Sequence, residues 1–281
     1  MPSFPIIDSH LHLWDPRRLS YPWLFDPLDR PFLPADFKAA SAGVDIEALV
    51  FLECAAVPDQ TFVEADQVLA WAVEEPRIAA MVCNAPLEKG DGVRADLERL
   101  AGIDKVRGIR RIYQDEPDPA FCLRPDFVAG VRALADHGLS FDLCLKHPQL
   151  QSTITLVDAC PNVPMVLDHI AKPGIAAGLM QPWADQMRDL ARRENVVCKL
   201  SGVATEAAAD WTAETLRPYM EMALEAFGPS RIMFGGDWPV STLRISYPGW
   251  VAVVDEVIAD LSDAEQRLIY RDTARAFYRL T

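Results

Sequence analysis

Short apolar runs recur along the chain, and each is followed by a stretch whose apolar residues return every three or four positions. The runs predict strands opening at Ile6 and then at 48–54, 77–83, 106–113, 139–145, 164–169, 196–200 and 231–237. The intervening periodicity predicts helices at 36–42, 59–74, 93–100, 125–136, 150–159, 183–193 and 213–227, with two more at 250–259 and 264–278. Near-continuous apolar strands are those of a parallel sheet buried on both faces. Eight strand–helix alternations within 281 residues match an α/β fold of the (β/α)8 TIM barrel type. A doubly wound open sheet is the alternative, but no Gly-x-Gly-x-x-Gly turn follows any strand. No linker, repeat or low-complexity tract divides the chain, so residues 1–281 read as a single domain.

One stretch breaks the alternation. Residues 15–34 carry five prolines and several aromatics, which excludes a regular helix and predicts a packed cover rather than a linker. Composition then narrows the function. A formal charge of −14, from 41 acidic and 27 basic residues, repels phosphate backbones and argues against nucleic-acid binding. The six cysteines lack any C-x-x-C pair, and Cys54, Cys83, Cys144 and Cys198 lie in apolar runs, so they read as reduced core residues. No signal-like segment and no 18-residue apolar run occurs, which predicts a soluble, cytoplasmic protein with no membrane partner.

In a barrel of this kind the chemistry gathers where strands end. Strand one ends in His10 and His12, two residues apart and so on one face, suited to a shared cation or to polarising a carbonyl. Glu53 ends strand two, His169 strand six and Asp237 strand eight. Asp237 follows two glycines and precedes Trp238-Pro239; it reads as a general base or as a cap of the next helix. Alternation places Arg110 with Gly108 on the inner face and Arg111 with Arg107 on the other. Lys199 is a charge in a buried strand, which must reach either a carboxylate or a substrate oxygen.

Taken together, Ile7-Asp8-Ser9-His10-Leu11-His12-Leu13-Trp14, Tyr21-Pro22-Trp23, Gly108-Ile109-Arg110, Leu167-Asp168-His169-Ile170-Ala171-Lys172-Pro173, Val197-Cys198-Lys199-Leu200-Ser201-Gly202 and Phe234-Gly235-Gly236-Asp237-Trp238-Pro239 resemble the amidohydrolase superfamily. The nearer likeness is to its lactone hydrolases, which act on L-fucono-, L-rhamnono- or L-galactonolactone, and to 2-pyrone-4,6-dicarboxylate lactonase. The resemblance implies a small-molecule lactone as partner, opened by water activated at Asp237 while His10, His12 and His169 polarise the carbonyl. Arg110, Lys172, Lys199 and Glu53 would hold the substrate, and Trp14, Trp23 and Trp238 would wall the pocket. Strand five ends in Cys144-Leu145-Lys146 and strand four offers arginine, so the usual two-metal ligand set is missing. His10, His12 and Asp237 remain as ligands for one divalent ion such as zinc, expected to be optional rather than essential. Lactone isomerisation or decarboxylation at the same site, and a non-catalytic barrel that only binds, are the rival readings. The sequence marks no interface, and a homo-oligomer stays open.

Overall fold

The computed structural model describes residues 2–281. Among them eight parallel strands form one sheet in chain order: β1 (Ile6–Leu11), β2 (Ile46–Leu52), β3 (Ile78–Cys83), β4 (Val106–Ile109), β5 (Ser140–Leu143), β6 (Met165–Leu167), β7 (Val196–Leu200) and β8 (Ile232–Phe234). The seam between β8 and β1 is closed just beyond the end of β8. There Leu11 bridges Trp238, the His12 amide donates to the Trp238 carbonyl at 2.8 Å, and the Asp237 amide donates to the His10 carbonyl at 2.8 Å. The bonds that shut the barrel are therefore those that bring the His-x-His strand against Asp237.

Around the sheet lie α1 (Pro34–Ala40), α2 (Thr61–Glu74), α3 (Arg94–Ala101), α4 (Pro125–Asp136), α5 (Leu150–Ala159), α6 (Trp183–Leu190), α7 (Ala213–Phe227) and α8 (Tyr247–Val257). Alternation along each strand divides the core in two. Leu49 and Phe51 face the helices, whereas Val50 and Leu52 join Ile7, Val82, Val166 and Met233 in the barrel lumen. The helix expected over 264–278 is broken into α9 (Asp263–Arg267) and α10 (Thr273–Phe277) by a wider turn at 268–272. Beyond that turn Ala274, Tyr278 and Leu280 join the lumen cluster, so the chain's last residues plug the lower barrel mouth.

The expected strands at 106–113, 139–145, 164–169 and 231–237 are longer than those observed. Their apolar runs continue past the last ladder bond into buried loops. The Pro-rich stretch folds over the upper mouth by an antiparallel bridge between Trp14 and Phe32, and Trp14 packs edge-on against Trp23 with centroids 5.3 Å apart. No helix among the described residues is long and apolar enough to cross a membrane.

Candidate active site

Asp8 fixes the floor of the site. Its Oδ1 accepts the amides of His10 at 2.9 Å and Gly236 at 2.8 Å, while Oδ2 accepts the Tyr247 hydroxyl at 3.0 Å. One carboxylate thus ties β1 to the loop that carries Asp237. Gly236 is required there, because a Cβ would stand 2.6 Å from Asp8 Oδ2 and 2.4 Å from the Tyr247 ring. Asp237 itself is held in the left-handed region at φ 52°.

The result is a tight triangle. His10 Nε2 and His12 Nε2 lie 3.1 Å apart, and Asp237 Oδ1 lies 3.7 and 3.6 Å from them. The tautomers follow from the outer partners. His12 Nδ1 meets the Leu52 carbonyl at 2.9 Å and must donate, leaving a lone pair on Nε2. Arg110 Nη1 approaches His10 Nε2 at 3.3 Å and only donates, while His10 Nδ1 faces Asp168 Oδ1 at 3.4 Å. Burial drives both imidazoles toward neutrality: His10 falls well below its ordinary value, and His12 to about 3. Two lone pairs and a carboxylate oxygen therefore converge, with Arg110 Nη1 approaching the His10 lone pair from the side. A point equidistant from all three lies about 2.0 Å from each, the length of a Zn–N or Zn–O bond. The donor set fits one divalent ion. Burial raises Asp237 to about 7, against the pull of Lys172 and Arg110.

A second cluster, His10 with Asp168 and His169, also brings ligand atoms together. It already holds a cation of the protein's own. Lys199 Nζ lies 3.1 Å from Asp168 Oδ1 and 2.6 Å from Asp142 Oδ2, with all three side chains fully buried. Asp168 stays well below the usual carboxylate range: burial opposes its charge, but Lys199 and His10 outweigh burial. Arg110 extends the network, its Nε 2.7 Å from Glu53 Oε1 and its Nη1 3.3 Å from Asp168 Oδ2.

His169 and Lys172 reach the cleft by an unusual route. His169, Ile170, Ala171 and Lys172 all have positive φ, at 54°, 47°, 62° and 47°. Each such residue costs ~1–2 kcal/mol in an L-chain, and β-branched Ile170 is the least suited. The turn is held by Trp183 Nε1 donating to the Ile170 carbonyl at 2.8 Å and by burial of Ile170 and Ala171. Its three-residue spacing puts His169 and Lys172 on one side. His169 Nδ1 pairs with Ser201 Oγ at 2.9 Å, and Lys172 binds the Gln114 side-chain oxygen. Gly202, at φ 60°, lies beneath: a Cβ there would stand 2.4 Å from His169 Nδ1 and 3.0 Å from Asp237 Oδ2.

Above the triangle opens a cleft of about 370 Å³. His12, His169, Asp237, Arg110, Lys172 and Trp23 line it, with His10 directly beneath and fully buried. Four expected contacts do not reach it. Lys199 is spent on Asp142 and Asp168 within the barrel, and Glu53 lies buried under Arg110 with its other oxygen on the Ala55 amide at 2.7 Å. Trp14 is buried with its indole N–H on the Leu28 and Arg30 carbonyls, and Trp238 packs edge-on between Phe32 and Phe37. Both support the cover; only Trp23 walls the cleft. Conversely, Asp8, Asp168, Gln114 and Glu206 were assigned no role from the sequence. Asp8 and Asp168 adjoin the His-x-His pair and His169, a signal available in the sequence. Gln114 and Glu206 stand in loops without periodicity.

The sequence model described as Amidohydrolase matches residues 7–280. An L-fucono-1,5-lactonase of Burkholderia multivorans is 34% identical over 295 residues, covering 98% of this chain and 96% of that protein. An L-rhamnono-gamma-lactonase of Scheffersomyces stipitis is 22% identical across 99% of both chains. A crystal structure of an amidohydrolase from Burkholderia multivorans with bound zinc superposes with a TM-score of 0.89 at 32% identity, covering 99% of this chain and 100% of that one. Barrel, seam and full-length match agree, and the chain belongs to the amidohydrolase family.

Proposed function

We propose that this protein hydrolyses a sugar-acid lactone to the open-chain aldonic acid. The observation that carries the reading is the convergence of His10, His12 and Asp237 at the floor of a cleft sized for one sugar ring, in a chain similar over its whole length to L-fucono-1,5-lactonases.

The two oxygens of Asp237 have separate work. Oδ1 faces the imidazoles, whereas Oδ2 lies toward Gly202 and His169 and is free to take a proton. Water attacks the lactone carbonyl carbon as Asp237 removes its proton, and the carbonyl π electrons move to oxygen. When the ring C–O bond breaks, Asp237 returns that proton to the leaving ring oxygen, and the new carboxyl group releases one proton to solvent. His10 and His12 present lone pairs rather than N–H groups to the cleft, so they serve better as ligands than as oxyanion donors. A divalent ion bound by His10, His12 and Asp237 would act as a Lewis acid on the carbonyl or on water. With Ser201 donating to Nδ1, His169 turns its Nε2–H to the developing oxyanion, and Arg110 and Lys172 add positive potential.

The test is a pH-indicator assay over aldonolactones and 2-pyrone-4,6-dicarboxylate, with and without chelator. The expected result is acid release from an aldonolactone, lost on chelation and restored by zinc. Activity untouched by chelator would leave carbonyl polarisation to His169, Arg110 and Lys172; no acid release from any lactone would overturn the reading.

A further inference from the structure

The charges that line the cleft are not equally satisfied. Arg110 is matched by Glu53 and Asp168, and Asp115 by Lys146 at 2.6 Å. Lys172 is held by Gln114, whose amide nitrogen in turn donates to Asp115 at 3.1 Å. Asp237 faces the two imidazoles. Glu206, on the loop between β7 and α7, is different. Its backbone amide donates to the Val203 carbonyl at 3.2 Å, but among the described residues its carboxylate has no hydrogen bond or ion pair. It lines the cleft half-buried, and burial raises its pKa while the Lys172 and Lys146 charges pull it down.

The Glu206 oxygens still reach solvent, so water supplies their donors until a ligand with donors of its own takes that place. Two classes of donor present themselves, hydroxyl and ammonium. Lys172 shares the same wall, and its charge disfavours a cationic ligand. Neutral hydroxyls suit both neighbours, since Glu206 can only accept and Lys172 can only donate.

We propose that Glu206 is the specificity residue of the cleft: its carboxylate accepts hydrogen bonds from ring hydroxyls of a polyhydroxylated lactone and repels lactones that carry a carboxylate. The assignment rests on the lactone-hydrolase reading above and extends it to a residue that lies outside the floor triangle.

The experiment measures kcat and KM for wild type, E206A and E206Q on a 1,5-aldonolactone, on its monodeoxy analogues and on a lactone bearing a carboxylate. E206A is expected to lose about tenfold or more in kcat/KM on the fully hydroxylated substrate, mostly through KM. The loss should vanish for the deoxy analogue that lacks the contacted hydroxyl. E206Q keeps an acceptor oxygen and should restore most of the loss, while raising kcat/KM for the anionic lactone. An equal loss on every analogue would make Glu206 merely structural, and no loss at all would remove it from the substrate; either overturns the assignment. If wild type hydrolyses no lactone, the underlying reading fails instead, and wild-type turnover in the same plate distinguishes the two failures.

Discussion

Two sets of buried charge lie one above the other in the same barrel, and they are finished to different degrees. The lower set, Lys199 with Asp142, Asp168 and Tyr278, is matched in charge within the protein: Lys199 reaches both carboxylates and the Tyr278 hydroxyl donates to Asp142 at 2.8 Å, although Oδ1 of each carboxylate lacks a hydrogen bond. The upper set is left open. Two imidazole lone pairs and a carboxylate oxygen face one another with Arg110 at their side, and the Glu206 carboxylate has no protein donor among the described residues. Charges matched inside the protein hold a fold together, whereas charges left facing a cleft are available to a ligand. Residue type does not separate the two: Lys199 is buried within β7 between two carboxylates, whereas Lys172, in the turn after β6, lines the cleft.

The largest effect should come from the open set. Replacing Asp237→Asn keeps the volume and removes the proton acceptor, so turnover should fall by about a hundredfold or more. Its side chain contributes no bond to the lower network, and thermal unfolding should stay close to wild type. Loss of the fold along with the activity would erase the proposed division between the two sets.

The lower set answers in the opposite currency. Lys199→Met leaves Asp142 and Asp168 buried without their ammonium, and breaking such a pair costs ~3–5 kcal/mol. Urea titration should show that loss. A variant as stable as wild type would mean that the carboxylates find other partners and that the network is not structural.

The same contrast explains what was readable in the sequence. The barrel was legible because buried parallel strands are written as apolar runs, and helices 125–136, 150–159 and 213–227 are observed at the expected bounds. Histidines at strand ends were legible because chemistry stands out against apolar neighbours. The partner of a buried charge was not: Lys199 and Asp142 are 57 positions apart, and only the closed barrel brings β5 and β7 to bear on one lumen. Nor was the left-handed turn at 169–172 legible, since His, Ile, Ala and Lys carry no signal for positive φ, and tertiary packing overrides their preference. The tryptophans misled for a related reason. Trp14, Trp23 and Trp238 look alike in sequence, but carbonyls at residues 28 and 30 draw the first inward, and phenylalanines enclose the last.

Glu64 of α2 is a third buried charge, held against the Cys54 amide at 3.1 Å and raised to about 8 by burial and by the neighbouring Glu53 charge, against the pull of that amide and of Arg110. Its folded pKa exceeds the unfolded value near 4.5, so the folded state binds the extra proton between those limits. Stability contributed by the neutral form is full below the unfolded value and falls as pH rises toward about 8, by up to about 1.4 kcal/mol per unit. Glu64→Gln should flatten that decline, seen as a gain in Tm at pH 8 with little change at pH 4.5. An equal gain at both would attribute the effect to packing rather than to charge.

The smallest effect sharpens the comparison most. Tyr278→Phe removes one hydroxyl from the lower network and leaves the ring that plugs the barrel mouth. Asp142 keeps Lys199 but loses a donor, and burial already raises its carboxyl to about 6 against the pull of Lys199. The expected cost is about 0.5–1.5 kcal/mol in urea titration, the net worth of one hydrogen bond. Because Tyr278 bonds Asp142 while Asp168 is the member of the network that faces His10, kcat/KM on the aldonolactone should stay within about twofold of wild type, less than half a kcal/mol in transition-state stabilisation. A tenfold loss of activity at unchanged stability would mean that the lower charges position His10 as well as the fold, and that the two sets work as one.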